Sequence, residues 1–134
     1  MSPHQRAALL ITGGAAAFGL LLARMLSAMM ADPNFGRGDN PFELIAVLGG
    51  TAAVVLALVT ASALAFRHRW AAKAGYAAVG WLILTVVAMV TNFAIAGAAE
   101  TGPTSALQSA ETFVGVMSFA GAIGLYRLIR PFQP

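Results

Sequence analysis

AALLITGGAAAFGLLLARMLSAMM, residues 7–30, decides the fold class. The run exceeds the ~20 residues an α-helix needs to cross a hydrocarbon core, so it reads as a membrane span. One residue interrupts it. Arg24 lies about six residues from the nearer end, which at ~1.5 Å per residue sets its guanidinium roughly 9 Å below the membrane surface. A lone charge at such depth costs several kcal/mol, so Arg24 is expected to have either a partner or a function.

Three further apolar stretches follow, approximately 42–66, 74–97 and 106–130, each long enough to span. They leave no soluble domain, and the whole chain, 1–134, reads as a single transmembrane domain. Composition agrees: 59% of the 134 residues are hydrophobic and 10% charged, where a soluble domain carries about 25% charged residues. Mean hydropathy is +0.79. The first stretch follows Arg6 as a signal peptide would. Met29 occupies the small-residue position of a cleavage site, however, and Arg24 breaks the run, so a retained helix is expected.

The connections are short and written in turn chemistry. Residues 31–41 hold Pro33, Gly36, Gly38 and Pro41, which break helices by losing an amide or by admitting positive φ. Arg67-His68-Arg69-Trp70, leading to Lys73, forms a basic turn. Residues 99–105 end in Thr104 and Ser105, either of which suits the N-cap of the fourth helix. Helices joined this tightly pack as antiparallel neighbours, so the expected fold is all-α: a four-transmembrane-helix bundle in up-down-up-down order.

Charge gives the orientation. A cytoplasmic N-terminus puts Arg6, Arg67, Arg69, Lys73, Arg127 and Arg130 inside, against Arg37 alone in the outer loops. The excess of basic residues thus places both termini in the cytoplasm, in a bacterial inner membrane. Asp32, Asp39, Glu43, Glu100 and Glu111 all fall at the outer end, and Trp70, Tyr76 and Tyr126 near the inner boundary. The net charge of +3 is therefore a topology signal, and nucleic acid is not an expected partner. Membrane lipids and other integral membrane subunits are.

Polar residues ranked by depth converge on one layer. Arg24, Asn92 and Glu111 each lie five or six residues in from the outer end, roughly 7–9 Å deep, with Glu43 just above them. Thr91, Gln108, Ser109 and Thr112 are close in sequence. Three readings fit this candidate intramembrane polar cluster. In one, Glu111 neutralises Arg24 in a structural ion pair and Asn92 satisfies what is left, since guanidinium and carboxylate match as planar partners. In the second, the layer is a small pocket in which Arg24 holds an anionic or carbonyl-bearing ligand. In the third, Arg24 snorkels outward or pairs with another subunit.

The remaining candidates carry other chemistry. Arg67, His68, Arg69 and Lys73 form a headgroup-binding turn. His4 and His68 both fall on terminal or loop segments, which excludes a bis-histidine haem. Met25, Met29 and Met30 could ligate Cu(I) but suit core filling better. Trp81, deeper than an interfacial belt, is expected to pack against a neighbour or a lipid. Ala15-x-x-x-Gly19, Gly49-x-x-x-Ala53 and Ala120-x-x-x-Gly124 place small residues one turn apart, allowing close approach of helices. Gly13-Gly14 and Gly49-Gly50 lie inside apolar helices and are packing features, not phosphate cradles. The chain has no cysteine, which excludes disulfides, thiol catalysis and thiolate metal sites. No catalytic residue, cofactor or metal is expected.

Phe42-Glu43-Leu44-Ile45 followed by Gly49-Gly50 resembles the opening of helix 2 in small four-helix membrane families such as the DoxX-like proteins. Asn40-Pro41 and Val90-Thr91-Asn92 resemble the anthrone-oxygenase-like membrane proteins. Either resemblance implies a four-helix membrane layout, and no catalytic residue carries over from it. Three function classes follow. The leading one is a non-catalytic accessory or structural subunit of a larger respiratory, photosynthetic or transport assembly. The alternatives are a small membrane enzyme or redox helper acting on a quinone or polyketide, and an oligomeric transporter or channel.

Overall fold

The computed structural model describes residues 2–31, 42–97 and 106–132. Four α-helices fill them: α1 Pro3–Ala31, α2 Phe42–Ala65, α3 Ala71–Gly97 and α4 Ala106–Ile129. A 3-10 turn, Arg130–Phe132, closes the described chain where Pro131 removes the amide that would continue α4. All four helices are long and apolar enough to cross a membrane. The loops at 32–41 and 98–105, with their turn residues and the N-cap of α4, lie outside the described residues.

Two helix ends have explicit chemical causes. At the start of α1 the Gln5 amide donates to Ser2 Oγ at 3.2 Å while the Ser2 amide donates to Gln5 Oε1 at 3.2 Å. This reciprocal capping box satisfies two otherwise orphaned donors, and Pro3 occupies the first helical position, where its missing amide costs nothing. Hence α1 begins at Pro3, four residues ahead of the apolar run. At the end of α2 the His68 amide reaches Ala63 O at 2.8 Å and the Arg67 amide reaches Leu64 O at 3.1 Å, with Arg67 at φ 58°. That is a Schellman motif with arginine in the left-handed position that glycine usually fills. After it the chain needs only residues 66–70 before α3, whose first turn closes through Ala74 N–H to Trp70 O at 3.1 Å.

Helix α2 packs on α1 and α3, and α4 packs on α3 and α1, closing a ring of four in which the α1–α4 contact is the least extensive. Close van der Waals fit holds apolar helices together, and small residues permit it. A Cβ built on Gly50 in α2 would lie 2.8 and 2.9 Å from the Leu22 methyls of α1. One built on Gly49 would lie 3.1 Å from Thr85 Oγ1 of α3. One on Gly75 in α3 would lie 2.7 and 2.8 Å from Ile129 of α4 and 3.3 Å from Thr60 of α2. These are sites where the backbone of one helix meets the side chains of the next. Met25, Leu64, Met89, Val114 and Ile129 fill the space between, with Ala46, Ala63, Ala72 and Ala78 buried beside them.

Hydroxyls enter this interior only with their hydrogen bonds already made. Thr60, Thr85 and Ser118 are fully buried, and each donates to the carbonyl one turn back: Leu56 O at 2.7 Å, Trp81 O at 2.9 Å and Val114 O at 2.7 Å. A buried hydroxyl therefore needs no partner on another helix. The outside is the reverse of a soluble protein's. Leu20, Leu48, Val90, Val116 and Phe119 are exposed, so every helix turns large apolar side chains outward. Soluble monomers rarely expose apolar surface on that scale.

Candidate functional site

Of Arg24, Asn92, Glu111 and Glu43, the residues expected to form one polar layer, the structure describes the side chains of Arg24 and Asn92. Asn92 is 1% exposed, held inside the bundle by α3. Arg24 is exposed, although its neighbour Met25 is completely buried. Consecutive helical residues differ by about 100° in direction, so Met25 points to the core while Arg24 points away with Leu20, Ala23 and Ser27. Arg24 is thus an outward-facing cation. Glu43 and Glu111 lie in α2 and α4, but their side chains fall outside the described residues, as do those of Gln108 and Ser109. Thr91 donates to Val87 O at 2.8 Å.

The basic turn has a definite shape. Phe66, His68 and Trp70 form a row of rings, with centroids 6.4 Å apart for the first pair and 5.3 Å for the second, where the planes are within 16°. Arg67, Arg69 and Lys73 are exposed around that row. Tyr76 and Tyr126 meet at 6.0 Å beside it, bringing α3 and α4 together at the same end. His4 is not on a loose terminus: it sits in α1 with its ring 4.5 Å from that of Phe132. Rings interleaved with cations suit the boundary between water and hydrocarbon. The methionines separate, Met25 filling the core and Met30 standing exposed, while the Met29 side chain lies outside the described residues. Trp81 is partly exposed and packs its ring edge near Gly49.

A feature that sequence reading did not find lies between α1 and α4. A cavity of about 210 Å³ runs along the seam, its walls formed by Leu10, Gly14 and Phe18 of α1 and Gly121, Gly124 and Leu128 of α4. Its floor is Ala53 of α2 and Leu82 of α3, both buried. Every lining residue is apolar or glycine. The cavity is larger than the ~150 Å³ apolar cavity that stays dry and takes up benzene. The chain matches no protein-family model, and no curated protein or solved structure is significantly similar to it. What the site can do must therefore come from its own residues. The cavity contains no acid, base or nucleophile, so it can hold hydrocarbon and cannot by itself transform it. The only sequence signal for it was small residues at Gly14, Ala15 and Gly124, which equally suit tight packing.

Proposed function

We propose that this protein is a multi-pass component of a bacterial inner membrane that serves as a non-catalytic accessory subunit of a larger membrane assembly. Its helices run up-down-up-down with both termini on the cytoplasmic side. The tilted ring contact of His4 with Phe132 and the seating of Ile129 beside Gly75 support that order, because they join the start of α1, the start of α3 and the end of α4. Six basic residues, Arg6, Arg67, Arg69, Lys73, Arg127 and Arg130, gather at that end, which is what the positive-inside rule requires of the cytoplasmic face.

Arg24 carries the accessory-subunit reading. It projects from the outer surface of α1 within an apolar helix, where a cation facing lipid costs several kcal/mol and a carboxylate or carbonyl of a neighbouring subunit would offset that cost. The test is isolation of the tagged chain from its native membrane in mild detergent, with companions identified and quantified by mass spectrometry. A stoichiometric membrane companion is expected, and Arg24→Ala should lower its recovery at least tenfold while leaving the helical content and thermal midpoint of the chain itself unchanged. Recovery as a companion-free protein, or equal recovery with Arg24→Ala, contradicts the proposal.

The apolar seam favours a second reading, in which a lipophilic small molecule is the ligand of the bundle. Its walls supply binding without chemistry, so a reaction there would require groups from a partner.

A further inference from the structure

We propose that the α1–α4 seam is a lipid site that holds one acyl chain of an anionic phospholipid, with the lipid's phosphate at Arg6 and Arg127. The inference rests on the reading that the helices span a bilayer and is independent of whether the chain has companion subunits.

Shape argues for a chain. The seam follows α4 from Met117 to Leu128, about 16 Å at ~1.5 Å per residue, and α1 from Leu10 to Phe18, about 12 Å. That is close to one leaflet, half of a ~30 Å hydrocarbon core. Its walls are narrow in side chain and wide in space, because a Cβ added to Gly14 or Gly124 meets nothing within 4 Å. The other three helix interfaces each bring at least one glycine against a neighbouring side chain. A void left dry would forfeit dispersion contacts along its length, and in a bilayer hydrocarbon is the solvent at hand to restore them.

Charge selects the headgroup. Arg6 precedes Leu10 by one turn and so extends the exposed row Leu10–Gly14 along the lip of α1. Arg127 is exposed and follows Gly124, of the α4 wall, by three residues. Both walls meet at one end of the seam, because His4 and Phe132 touch there at 4.5 Å. Among the described residues no acid shares that end: Glu43 and Glu111 belong to the opposite ends of α2 and α4. A chain in the seam therefore places its phosphate between two guanidinium groups with no carboxylate to oppose it, and guanidinium grips phosphate oxygens in bidentate fashion.

The experiment uses the full chain, delipidated in detergent and freed of companions, re-supplied with dioleoyl phosphatidylglycerol or dioleoyl phosphatidylcholine and read by native mass spectrometry. One retained phosphatidylglycerol per chain is expected, in preference to phosphatidylcholine. Arg6→Gln and Arg127→Gln should each weaken that preference about fivefold, and the pair about thirtyfold, at ~1 kcal/mol for each basic residue near the surface. Gly124→Leu, which fills the seam, should abolish retention of both lipids. In the unaltered protein, phosphatidylglycerol carrying a photoreactive diazirine on its acyl chain should label residues 10–18 of α1 and 117–128 of α4. Equal retention of the two lipids, unchanged retention by Gly124→Leu, labels spread evenly around the outer surface, or a dimer cross-linked through the seam would each overturn the site. A chain that binds phosphatidylglycerol without companions sustains it even if the accessory-subunit reading fails.

Discussion

Two parts of the bundle use glycine in opposite ways. Where α3 meets α4 and α2, Gly75 is pressed against Ile129 and Thr60, so that a single added carbon would fall 2.7 Å from a side-chain atom. Along the α1–α4 seam, Gly14 and Gly124 face open space. The same residue closes one interface and leaves the other ajar. Between apolar helices, a small residue thus favours contact only when the opposite helix supplies something to fill the notch. Ile129, completely buried, does so for Gly75; across the seam no side chain does so for Gly124.

The largest effect should come from Gly75→Leu. A leucine there has to displace a buried, β-branched Ile129, and overpacking of this kind costs about 3 kcal/mol or more, enough to lose the folded protein from detergent extracts. Gly50→Ala sharpens the point at lower cost. Its new carbon meets the two methyl ends of Leu22, which can rotate aside, so a loss of about 1 kcal/mol is expected in SDS-driven unfolding followed by circular dichroism. Arg67→Gly is the inverse substitution, introducing glycine where the backbone needs φ 58° and not space. It should raise stability by about 1 kcal/mol through relief of the left-handed arginine. The same change should weaken binding to anionic vesicles by about fivefold, through loss of one cation from the basic turn. A fall in stability with Arg67→Gly would mean that the arginine side chain, and not its backbone, holds the turn.

Sequence reading reached four long apolar helices because these depend on the length of apolar runs, which a linear sequence states directly. The basic turn at 67–70 was equally local. The Ser2-Pro3-x-Gln5 capping box is also local, but it precedes the apolar run that marks the helix in the sequence. Arg24 shows where linear reasoning stops. Its depth follows from counting residues, but its direction depends on which face of α1 meets the other helices, and only the buried Phe18, Leu22 and Met25 reveal that. The seam is less legible still. Glycine and alanine spacing indicates that close approach is possible, while the match between facing surfaces decides whether it happens.

The contrast between the two interfaces is tested most directly by adding one methyl to each. Gly75→Ala and Gly124→Ala would be compared by SDS-driven unfolding under identical conditions. Gly124→Ala is expected to gain about 0.5–1 kcal/mol, the usual benefit of replacing a helical glycine that has room. Gly75→Ala is expected to lose about 1–3 kcal/mol, with part of the loss recovered when Ile129→Val removes one of the opposing carbons. Changes of the same sign at both positions would contradict the division of the bundle into closed interfaces and one open seam.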